Sequence, residues 1–132
     1  MDTTILVAGG VVGAHGIGHV LGWLPAWGLA KIEGVSSASW LLGPLGETAE
    51  RAIAGAVFLA PTAGFVAAVG AMFAGQGWFR GVAIASAAIS LAATALFPRA
   101  FPVGSTIGAV AVNAAILVGL LATSWEPSTL PG

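Results

Sequence analysis

Four apolar runs dominate this chain: Ile5 to Trp23, Ala52 to Phe73, Phe79 to Phe97 and Gly104 to Ala122, none with a charge in its interior. Each is close to the roughly 20 residues that a helix needs to cross a hydrocarbon core about 30 Å thick. Backbone amides in hydrocarbon must bond within their own segment, so continuous apolar runs are helices. A membrane barrel would need alternating segments of about ten residues instead. The expected fold class is all-α: a four-transmembrane-helix bundle with one long interfacial loop between helices 1 and 2. It forms a single membrane domain over 1–125, followed by a short flexible tail over 126–132.

The rest of the composition agrees. Only 7% of the residues are charged and 58% are hydrophobic, whereas a soluble domain carries about a quarter charged residues. Such a chain cannot clothe itself for water, so the lipid bilayer is its first partner. A net charge of −1 provides no basic footprint for nucleic acid. Cysteine is absent, which removes disulfides, thiol catalysis, Cys-ligated zinc and iron–sulfur clusters. No Lys or Arg precedes the first apolar run, so that run reads as a retained helix and not as a cleaved signal.

Punctuation sets the limits. Pro25 follows the first run, Gly75 and Gly77 flank a turn between the second and third, and Pro98 and Pro102 bracket the next turn. Pro61, inside the second helix, is expected to kink it, with the freed carbonyls satisfied by neighbours such as Thr62. The long connection from Leu24 to Arg51 carries Trp27, Lys31, Glu33, Trp40, Glu47 and Glu50, a mixture suited to the headgroup region. Within it, Ser36 to Ser39 and Gly43 to Gly46 read as turns. Lys31, Arg51 and Arg99 share one side of the membrane against Arg80 on the other. The positive-inside rule then puts loops 1 and 3 in the cytoplasm and both termini outside.

Helices in lipid associate through small residues. Gly10, Ala14, Gly18 and Gly22 make a ridge at i+4 spacing on helix one, and Gly104 with Gly108, then Ala111, Ala115 and Gly119, make others on helix four. Such ridges serve intrachain packing, a homo-oligomer or a larger membrane complex. Ser86, Ser90 and Thr94 line one face of helix three and read as packing glue or, more sharply, as a polar track. Glu47 and Arg51 read as an interfacial ion pair at a helix N-terminus, and Arg80 and Arg99 as snorkelling anchors.

The residues able to carry chemistry are few. His15 and His19, four apart, share one face of helix one, and an ionisable group inside a span ordinarily faces the bundle interior and serves a site. At 1.5 Å per residue, His15 lies about 12 Å below the Trp23 interface, His19 about 6 Å, and Asn113 about 13.5 Å below Gly104. His15 and Asn113 thus share a layer, with Glu47 and Glu50 at the re-entry of helix two on the same side. One reading is a divalent metal held by His15, His19 and Glu50 or Glu47. Another is a single haem ligand or a quinone contact, and a third is a proton relay. The plainer reading has both imidazoles neutral in a polar pocket of His15, His19, Asn113 and Thr106. No Ser-His-Asp set, phosphate loop or intramembrane carboxylate pair is present, which points away from an enzyme.

The stretch His15-Gly-Ile-Gly-His19-Val-Leu-Gly-Trp23, followed by Ala26-Trp-Gly-Leu-Ala30 and by Phe101-Pro-Val-Gly104-Ser-Thr-Ile107, resembles a group of small four-helix bacterial membrane proteins of unassigned activity. Its members have a His-Gly-x-x-His motif in the first helix, and some are labelled transporter permeases. Where they carry Asp-Ala-Lys before the fourth helix, this chain has Arg99-Ala100-Phe101. The resemblance implies the four-helix fold and no particular substrate. The expected function is a membrane-embedded binding or accessory subunit with a polar pocket at the helix-one histidines. The alternatives are a cation- or proton-coupled transporter component and a haem- or quinone-contacting redox subunit.

Overall fold

The computed structural model describes residues 2–126; all but the first residue of the tail expected over 126–132 lies outside them. Five α-helices run in chain order: α1 Thr3–Gly18, α2 Val20–Ala26, α3 Glu47–Phe73, α4 Phe79–Leu96 and α5 Val103–Ala122. Among the described residues, α1 and α2 together, α3, α4 and α5 are the four segments long and apolar enough to cross a membrane. The fold is an all-α bundle.

Local chemistry explains the ends. Asp2 caps α1 by accepting the Thr4 amide at 2.9 Å, as an N-cap carboxylate should. The first span continues past Pro25 to Ala26 and closes in a Schellman motif. Gly28 (φ +73°) donates to Pro25 and Leu29 donates to Leu24, a geometry that favours glycine at the left-handed position. The same device ends α3, where Gly75 (φ +63°) donates to Met72 and Gln76 donates to Ala71. α3 begins at Glu47, earlier than the apolar run suggests, with Glu47 and Glu50 in its first turn where the helix dipole favours carboxylates. The Glu47–Arg51 ion pair forms there at 4.0 Å. Pro61 sits inside the continuous α3, and the Thr62 hydroxyl bonds back to the Phe58 carbonyl at 3.1 Å. The carbonyl that a proline at 61 deprives is that of Val57, so Thr62 does not serve as its substitute.

The spans pack in sequence: α1 and α2 on α3, α3 on α4, α4 on α5. Glycines on α1 and α2 decide how close the first span comes to α3. A Cβ at Gly9 would stand 2.8 Å from the Phe73 ring, one at Gly16 2.6 Å from Phe65 Cβ, and one at Gly22 2.8 Å from the Phe58 ring. Of the expected ridge, Gly22 is at the contact, whereas Gly10 and Gly18 meet nothing within 4 Å; the same holds for Gly104, Gly108 and Gly119 on α5. Between α1 and α5 the bundle is open along two grooves, one toward each end. Only 6% of the most apolar stretch of α5 is buried in the protein, against 33–39% for the others.

Residues 27–46 form the long connection, stitched onto the bundle end. Ser36 donates its amide to Arg99 O at 2.8 Å, and the Trp40 indole donates to Ala95 O at 2.7 Å, satisfying a carbonyl that the last turn of α4 leaves free. Ser36 and Ser39 hydroxyls accept the amides of Ala38, Leu41 and Leu42, and Gly43–Leu45 make a 3-10 turn, as the turn chemistry predicts. At the other end, Arg80 is no snorkelling anchor. Its guanidinium donates to the carbonyls of Leu120, Thr123 and Trp125, capping the C-terminus of α5 where a cation suits the dipole.

Candidate functional site

The first span breaks its helical pattern at His19, and the break builds the site. The His19 amide donates to Gly16 O, three residues back, at 3.2 Å. The His15 carbonyl, four back, is thereby free to accept the His19 ring nitrogen Nδ1 at 2.9 Å. A side-chain N–H thus stands in for the backbone N–H, and the ring is held against its own helix.

Three spans then meet around it. His19 Nε2 lies 2.5 Å from the Ser90 hydroxyl of α4. Asn113 of α5 places its amide nitrogen 2.7 Å from that hydroxyl and its Oδ1 2.9 Å from His15 Nε2. With His19 neutral, donor logic sets the direction of every bond. A carbonyl can only accept, so His19 Nδ1 carries hydrogen; in the neutral ring Nε2 is then an acceptor, and the Ser90 O–H donates to it. Ser90 accepts from the Asn113 amide, whose oxygen accepts from His15 Nε2–H. The chain of donors starts on the His15 ring and ends on the His15 carbonyl. This arrangement needs no second proton on either imidazole.

The network is dry. His19 is 2% exposed, and Ser90 and Asn113 are wholly buried. Phe58, Phe65 and Phe101 surround the His19 ring at centroid distances of 6.4, 5.9 and 6.2 Å, and Phe65 also packs on His15 at 5.1 Å. Glycine at 16 and 22 is what lets Phe65 and Phe58 approach α1 so closely. A polar group buried without a partner costs about 1–3 kcal/mol, so the buried His19, Ser90 and Asn113 are held together as a unit.

His15 is half-buried. With its Nε2 given to Asn113, its Nδ1 has no hydrogen-bond partner among the described residues. It borders the groove between α1 and α5, a cavity of about 460 Å³ lined by His15, His19, Leu21, Phe101, Ser105 and Val112 among others. Its walls are apolar apart from the two imidazole edges and the Ser105 hydroxyl.

His15, His19 and Asn113, all anticipated from the sequence, are brought together, and Ser90 joins them. Three anticipated residues are not. Thr106 turns its hydroxyl onto the carbonyls of Pro102 and Phe101 at the start of α5, as a threonine in a first helical turn readily does. Glu50 accepts the Ser39 amide at 2.8 Å, and Glu47 is at the surface on Arg51. The set His15–His19–Glu50 is therefore not assembled. Among the described residues no group of three His, Asp or Glu side chains stands ready for a metal ion. Axial haem ligation through Nε2 would compete with bonds already made at both rings. Ser90 was readable as part of the α4 stripe and not as a member of the site.

Comparison with known protein families, with curated proteins and with solved structures returns no match.

Proposed function

We propose that this protein is a small membrane-embedded binding or accessory subunit, akin to the four-helix bacterial proteins that its His15-to-Trp23 stretch resembles. In this reading an amphipathic molecule enters the α1/α5 groove sideways from the bilayer and meets His15. The observation that carries the proposal is the open Nδ1 of a half-buried histidine on an otherwise apolar groove. Small-molecule sites are typically apolar clefts with one or two placed polar groups. With Nε2 donating to Asn113, Nδ1 is an acceptor, so the matching ligand has a hydroxyl or N–H donor. A reduced quinol fits that demand, and an oxidised quinone carbonyl does not unless the network reverses. Lys31, Arg51 and Arg99 would place residues 27–46 and the α4–α5 turn on the cytoplasmic side.

The test uses the full chain in nanodiscs containing a long-chain alcohol with a photoreactive diazirine. Labelling is expected on the α1 and α5 positions that line the groove, and Gly108→Leu is expected to abolish it. Gly108 borders the groove with nothing within 4 Å, so leucine there fills the groove without touching the polar network. Uniform labelling of all four spans, unchanged in the Gly108→Leu protein, would reject the proposal.

A further inference from the structure

A further cavity lies at the bundle end nearest the histidines, under the 27–46 connection. It has a volume of about 650 Å³, and Gly22 and Pro25 of α2 and Ala100 form part of its wall. The chain has four basic and five acidic side chains, and five of these nine line this one space: Lys31, Glu33, Glu47, Glu50 and Arg51. Their roles are unequal. Arg51 is occupied, its Nε donating to Ala26 O at 2.9 Å and its Nη1 lying 4.0 Å from Glu47. Glu50 is 9% exposed; its Oε1 accepts the Ser39 amide, and its Oε2 has no partner among the described residues. The Arg51–Glu47 contact is the one ion pair among the described residues, which leaves the Glu50 carboxylate without a counter-ion and Lys31 without a carboxylate.

A buried carboxylate without a cation is costly, and the same carboxylate paired and hydrogen-bonded is not. We infer that this cavity binds a zwitterion whose primary ammonium pairs with Glu50 Oε2 and whose anionic group, a phosphate or carboxylate, faces Lys31. No aromatic side chain lines the space. A trimethylammonium, recognised by aromatic faces, is therefore a poorer match than an ammonium that donates N–H bonds to Oε2 and to the hydroxyls of Ser36 and Ser37. The cavity sits where the loop meets the ends of the spans, so a phosphoethanolamine group reaches it either as a free solute or on a lipid. The site is separate from the α1/α5 groove, and neither depends on the other.

Two measurements on the full chain test this. Calorimetric titration in an uncharged detergent uses phosphoethanolamine and phosphocholine. Native mass spectrometry follows release from vesicles of phosphatidylethanolamine, phosphatidylcholine and phosphatidylglycerol in equal parts. The expected result is preference for the ethanolamine form over the choline form by about tenfold or more, the ratio set by one charge-assisted hydrogen bond. Saturation in the titration identifies a free solute; preferential retention of the lipid without it identifies a headgroup. Glu50→Gln keeps an Oε1 for the Ser39 amide, so its unfolding midpoint should hold while its binding falls by about tenfold or more. Lys31→Met, at an exposed position, should lose binding several-fold with no change in stability. Equal binding of the two headgroups, no binding in either experiment, or wild-type binding in both variants overturns the inference.

Discussion

Ser90 has the most consequential hydroxyl in the molecule, because it is donor to His19 and acceptor from Asn113 at once. Ser90→Ala should strip both of their partners inside a dry core. A loss of about 2–6 kcal/mol is expected, from about 1–3 kcal/mol for each of the two buried groups left unpaired, read as a fall in the detergent unfolding midpoint. Asn113→Leu should be milder than Ser90→Ala, since the hydroxyl can still donate to His19 when the carboxamide is gone. Measured stabilities in the reverse order would show that the donor direction assigned here is wrong. The layer shared by His15 and Asn113 was legible in the sequence from the helical rise alone. Ser90 was equally within reach: counted back from Phe97 at 1.5 Å per residue, it lies about 10.5 Å deep. What hid it is that serine carries no charge, and in a row with Ser86 and Thr94 it resembles ordinary packing. Glu50 was drawn toward the site for the opposite reason. It shares the histidines' side of the membrane, but its carboxylate is taken up by the Ser39 amide of the connection.

At the scale of elements, glycine placement separates close-packed helix faces from open ones. Gly16→Ala would drive a Cβ to within 2.6 Å of Phe65 Cβ. Overpacking of this kind costs about 1–3 kcal/mol, and it should also disturb Phe65 against His15. Gly18→Ala meets nothing within 4 Å and should leave stability unchanged or slightly raised, since alanine is the better helix former. Equal melting of the two variants would contradict the α1–α3 interface. The sequence could not choose this face, because glycines at 9, 10, 13, 16, 18 and 22 leave no side of α1 without small residues. The non-helical step at His19 then decides which of them face α3. A different element, the end of α5, depends on a single side chain. Arg80→Ala should release the carbonyls of Leu120 and Thr123 and raise amide exchange in the α4–α5 end of the bundle, with little change near His19.

For the whole molecule, the four spans were legible to within a few residues, because hydrocarbon permits so few ways to arrange a backbone. The open α1/α5 seam was not, since no one-dimensional pattern says whether the first and last helices of a bundle touch. The absence of cysteine makes that seam easy to probe. Single cysteines at Ser105 and Gly108 should react with a bilayer-soluble maleimide, whereas one at Ala87, which is wholly buried, should not until the protein is unfolded. Equal reactivity at all three positions would mean that the helices are not packed in this order.

The Asn113 carboxamide has one further consequence, which concerns assembly. When α5 enters the membrane, the hydroxyl of Ser90 and the imidazole of His15 are already presented by earlier spans. A helix rotated by one residue, about 100°, would turn its only carboxamide toward acyl chains and leave both partners unmet. Smooth apolar surfaces tolerate many rotations of one helix on another, and a single buried amide tolerates one. Asn113 therefore works as an index mark that tells α5 which way to face.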